Sequence, residues 1–240
     1  MMVLLLMTWL VVPWAALAHE DVPERSAITV TGHAQISLAP DTAFVTLGME
    51  TTGNTVGEAQ RQNRLVMNKV VERLRALQIE NERIQTASFA VSPQYRPPRK
   101  RSEGLAEPPE IIGYIISNTI TVELRNLDKV GPAIEESLAA GANQFQGLHW
   151  ALRDEQQAKL GVLKQAAAKA REKASALSEA LKVRLIRLLN ATEESHVVHP
   201  VPRMTRSMMA MEGGGGEAPV FSGEIKVEAT VTLVYEIGQE

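Results

Sequence analysis

The far end of the chain constrains the fold most. Ile225, Val227, Ala229, Val231, Leu233, Tyr235 and Ile237 alternate with Lys226, Glu228, Thr230, Thr232 and Glu236. A period of two is the mark of a β-strand, whose successive side chains point to opposite faces. Seven apolar positions at ~3.3 Å per residue make an element about 40 Å long. A strand of that length with one polar face belongs to an antiparallel sheet covered by helices on one side.

Other segments repeat the pattern. Ile28, Val30, Ala34, Ile36 and Leu38 share a face, with Gly32 expected at a bulge or bend. Pro40 and Asp41 make a turn into a second strand with Ala43, Val45, Leu47 and Met49 inward. Asn54 or Thr55 is expected to cap a helix over 56–77, with Val56, Ala59, Val66, Val70, Leu74 and Leu77 in one stripe. Asn63 falls inside that stripe, so it marks the stripe's edge or a buried hydrogen bond. Strands are expected over 84–95, 111–124, 145–152 and 183–190. Pro93 should place the end of the first of these at a sheet edge or bulge. A short helix carrying Val130, Ile134 and Leu138 should stop at Gly141.

A long helix is expected over 154–181. Leu160, Leu163, Ala167, Ala170, Ala174, Leu177 and Leu181 are spaced three and four apart. That spacing suits a coiled-coil seam, but the alanines at its centre favour close packing on the protein's own sheet. The fold class that follows is α+β: a mainly antiparallel sheet with helices on one face, built from β-α-β units whose order suggests duplication.

The other end speaks of location. Residues 1–12 are almost wholly apolar, Pro13 breaks the run, and Ala16, Leu17 and Ala18 offer a cleavage site before the polar His19. Residues 1–18 read as a signal peptide, followed by an extension over 19–25 and one domain over 26–238. An uncleaved anchor is the alternative, although the run is shorter than the ~20 residues that span a bilayer. The chain has no cysteine, so disulfides, thiol catalysis and a thiol-linked lipid are excluded. A net charge of −3 and 4% aromatic residues give no support to nucleic acid as a partner.

The motifs Ile-Thr-Val-Thr-Gly at 28–32, Ala-Pro-Asp-Thr-Ala at 39–43, Ile-Gln-Thr at 84–86, Val-Ser-Pro-Gln-Tyr at 91–95 and Ile-Gly-Tyr at 112–114 occur in this order. Val130 with Gly131, Gly141 with Ala142, the alanine-rich helix and Gly-Glu-Ile-Lys-Val at 223–227 follow. Together they resemble the SIMPL-domain family of bacterial envelope proteins, over most of 26–238. The resemblance implies an exported protein of the periplasm or outer envelope, assembly into homo-oligomers, and a link to oxidative stress defence. It carries no catalytic set.

The residues themselves supply none. No metal-protease spacing, nucleophile elbow or phosphate loop occurs, so an enzyme is not expected and no cofactor is assigned. His149 alternates with Trp150 and should face solvent or an interface. Two clusters remain. The segment 193–220, expected to be an irregular Met- and Gly-rich loop, places His196 and His199 ahead of Met204, Met208, Met209 and Met211. Imidazole and thioether donors suit Cu(I), while an oxidant-scavenging loop needs only the methionines. The loop 96–110 carries Arg96, Arg99, Lys100 and Arg101, candidates for contact with anionic lipid or lipopolysaccharide phosphates. The leading reading is a non-enzymatic, self-assembling envelope protein. The alternative is a periplasmic binding protein for copper or a small apolar ligand.

Overall fold

The computed structural model describes residues 26–97, 108–199 and 222–239. The expected signal peptide, the basic triplet at 99–101 and the four loop methionines lie outside them. Seven strands and three helices follow one another in this part of the chain: β1 (Ala27–Leu38), β2 (Thr42–Gly53), α1 (Val56–Ala76), β3 (Ile84–Tyr95), β4 (Ile111–Leu124), α2 (Val130–Ala139), β5 (Gln144–Ala151), α3 (Glu155–Leu181), β6 (Val183–Val198) and β7 (Ile225–Gln239). They form two antiparallel sheets, ordered β3-β4-β2-β5 and β1-β7-β6. The α+β class and the one-sided sheets are as the alternation required.

Each sheet has its own core. Val45, Leu47, Ile120 and Val122 of the four-stranded sheet pack with Met67, Val70 and Leu74 of α1 and Val130 and Ala133 of α2. Thr55 caps α1, its hydroxyl accepting from the Glu58 N–H at 3.2 Å. Asn63 is buried in this core. Its Nδ2 donates to the Met49 carbonyl at 2.9 Å and the Ile116 carbonyl at 3.4 Å, so one side chain ties α1 to β2 and β4. In α2 the buried positions are Val130, Ala133 and Ser137, while Leu138 of the expected stripe turns outward. Gly141 ends that helix region at φ +109°, a conformation costly for other residues.

The three-stranded sheet is covered by α3, and here the expected stripe is corrected. The buried row is Val162, Ala166, Ala170 and Ala174. Leu160, Leu177 and Leu181 are 46%, 43% and 59% exposed. The physical cause is Gly32. It is regularly paired with Val231, with no bulge at that point. A Cβ on it would lie 2.1 Å from the Ala166 carbonyl oxygen and 2.5 Å from the Ala170 nitrogen. The helix backbone therefore rests on the strand, and only small side chains fit between. This contact orients α3 and turns the leucines away.

The two layers meet at a turn. The Asp41 carboxylate accepts from the Arg153 N–H at 2.7 Å and from the Thr42 hydroxyl at 3.0 Å. Asp41 N–H donates to the Ala151 carbonyl. The β1–β2 corner is thereby fixed to the junction of β5 and α3.

Candidate functional site

Of the expected ligand cluster, His196 and His199 lie among the described residues, and they turn to different partners. β6 runs to Val198, so residues 193–198, expected to be irregular, are strand. Its ladder with β7 continues through His196 opposite Glu228 and Val198 opposite Lys226. The alternation was illegible there because Glu193 and Glu194 sit on an exposed strand, where neither face must be apolar. His196 Nε2 is 3.4 Å from Glu228 Oε2. His199 turns elsewhere: its Nδ1 donates to the Trp150 carbonyl at 3.2 Å, and its Nε2 is 3.7 Å from Glu155 Oε1. The His149 and His199 rings lie 4.5 Å apart between centroids. Among the described residues, no group of three or more His, Cys, Asp or Glu side chains is arranged to hold a metal ion.

Of the basic loop, Arg96 is described. Its guanidinium lies 2.9 Å from the Glu110 carboxylate across the mouth of the β3–β4 hairpin. An arginine already paired with a carboxylate is a weaker phosphate contact than a free one. The other expected anion contacts, Arg99, Lys100 and Arg101, lie outside the described residues.

The structure exposes instead a feature that composition does not announce: long strands at open sheet edges. Among the described residues β3 flanks β4 alone, and every residue from Gln85 to Tyr95 is exposed. Phe89, Val91 and Tyr95 are about half exposed, and Ile111 and Ile112 continue the patch onto β4. Phe89 and Val91 stand opposite Asn118 and Ile116, on the helix side of the sheet beyond the cover of α1. Among the described residues β6 flanks β7 alone, with Ile186 and Leu188 about half exposed. Unpaired backbone groups beside apolar side chains make a template for another strand. Pro93 removes one donor from the β3 edge, and register shifts near Ala87 in β3 and near Ile186 in β6 interrupt the ladders. These features restrict which strand can add and in which register.

The sequence relationships agree with the architecture. A family model described as SIMPL, protein of unknown function (DUF541), matches residues 28–235, which covers both sheets and all three helices. The chain belongs to the SIMPL family. It is 30% identical over 229 residues to the 26 kDa periplasmic immunogenic protein of Brucella melitensis biotype 1, a match covering 94% of this chain and 90% of that one. The protein of the same name from Brucella abortus (strain S19) matches equally. The uncharacterized protein YggE of Escherichia coli (strain K12) is 25% identical over 134 residues, 56% of this chain and 51% of its own length. For a SIMPL chain the motifs at 28–32 and 39–43 now have physical reasons. Gly32 admits α3, and Asp41 fastens the two layers.

Proposed function

We propose that this SIMPL protein is an exported, non-enzymatic component of the bacterial periplasm and envelope. It assembles from copies of itself through open strand edges and contributes to tolerance of envelope and oxidative stress. The observation that carries the reading is the pair of long edge strands, β3 and β6, each bearing exposed apolar side chains. Edges of this kind are covered in stable proteins, and a second copy is the most available cover. The periplasmic placement is supported by the names of the Brucella relatives and by the apolar leader. The basic run Arg99, Lys100 and Arg101 supports a contact with anionic envelope lipid.

Light scattering on the purified protein at micromolar concentration tests the assembly. A mass several times that of one chain is expected, and it should fall when Val91→Lys and Leu188→Lys place charge beside the two edges. Both side chains are about half exposed, so the circular dichroism spectrum should not change. A single-chain mass for the unaltered protein overturns the assembly. A deletion strain no more sensitive to peroxide than its parent overturns the stress role.

A further inference from the structure

The edge of β1 differs from those of β3 and β6, because a helix runs beside it. Ile237 N–H donates to the Ser26 carbonyl at 3.0 Å, in the register that continues through the β1–β7 ladder. Antiparallel pairs alternate between hydrogen-bonded and open. Ser26, Ile28 and the residues in step with them therefore point their backbone groups at β7. Thr29, Thr31, His33, Gln35 and Ser37 point theirs away from the sheet. One outward carbonyl is already occupied: Lys173 Nζ of α3 donates to Thr31 O at 2.7 Å. Beyond that lysine, the backbone groups of His33, Gln35 and Ser37 have no partner among the described residues.

Beside this open stretch lies a cleft of about 380 Å³, floored by Ile36, Leu38 and Leu152 and walled by Ala158, Gly161 and Gln165 of α3. A second hollow of about 340 Å³ lies further along β1, lined by His33 and Gln35, by Lys169 of α3 and by Glu228 and Thr230 of β7. Gly161 sits inside a 27-residue helix, where glycine costs about 1 kcal/mol relative to alanine. Nothing lies within 4 Å of where its Cβ would stand. Packing within the chain thus does not require the glycine, and its missing side chain widens the cleft. Lys169 makes no ion pair among the described residues; Glu228, which lines the same hollow, lies 3.4 Å from His196 Nε2 instead, and the Asp154 and Asp41 carboxylates at the other end already accept backbone N–H groups.

We propose that the β1–α3 groove binds an extended segment of another polypeptide as an added strand. The segment pairs with the backbone of His33, Gln35 and Ser37, about five residues or roughly 17 Å of strand. It sets alternate apolar side chains into the space beside Gly161 and carries a carboxylate at the Lys169 end. Lys173 fixes where the added strand must stop.

The test is a library of random heptapeptides displayed on phage and selected against the full chain. The expected winners alternate apolar residues and end in an acidic one on the side that meets Lys169. Synthetic versions should perturb the amide resonances of His33, Gln35 and Ser37 in the unaltered protein. Gly161→Leu should weaken them at least tenfold while leaving thermal stability equal or higher. Lys169→Glu should weaken the acidic peptides severalfold, and Lys169→Arg should restore them. Failure to enrich any peptide, enriched peptides indifferent to Gly161→Leu, or amide perturbations confined to other strands would overturn the proposal. So would a fall in the light-scattering mass on Gly161→Leu, which would make the groove a contact between copies. A mass unchanged by Gly161→Leu but lowered by the β3 and β6 variants separates this groove from the assembly edges.

Discussion

Gly32, Asn63 and Asp41 do work that larger or less polar side chains cannot. Gly32 is the point where α3 lies on β1 without an intervening side chain. Gly32→Ala pushes a methyl group into the helix backbone and should lower unfolding stability by about 1–3 kcal/mol, read from the urea midpoint. Asn63→Leu keeps the volume but leaves the Met49 and Ile116 carbonyls without their donor. A loss of about 1–3 kcal/mol is expected, with the Asn63→Asp variant no better because a carboxylate has no N–H to donate. If either variant melts with the unaltered protein, the account of that contact is wrong. Neither residue would stand out in a search for reactive side chains. Both stand out once the question is where a backbone approaches or a carbonyl is satisfied.

At the scale of elements, legibility followed burial. β7 is central in its sheet, and its alternation gave every inward position from Ile225 to Leu233. β1 and β2 were readable for the same reason, each with one face against a core, and so was most of α1, where Met67 is buried and Val56, expected inside, is exposed. β6 was read only to residue 190 because its outer half is exposed and carries Glu193 and Glu194. The phase of α3 was misread because alanine occupies positions 166, 167 and 168 together. With so little difference among side chains, the sheet decides which alanine is inside, and it does so through Gly32. The surfaces proposed for function were hardly legible at all. They are built from backbone edges and from a groove between elements far apart in sequence, so no side-chain motif marks them. Lys173 illustrates the point, since its contact with Thr31 joins residues 142 apart in sequence. Lys173→Ala frees that carbonyl and should lengthen the open β1 edge. Slower recovery of soluble protein on refolding, followed by turbidity, is the expected outcome, and unchanged turbidity would show that the lysine does not guard the edge.

For the whole molecule, two cores lie under two sheets, and open clefts flank them. A chain without cysteines must be held by those cores and by what covers its edges. In this account the edges are divided between two duties. We propose that β3 and β6 meet other copies and that β1 with α3 receives a foreign strand. The most direct measurement is the solution mass of the purified protein by light scattering, alone and with Val91→Lys and Leu188→Lys. The account requires a multiple of the single-chain mass that the two substitutions lower without loss of secondary structure. A single-chain mass across the micromolar range, the same in both proteins, would contradict it.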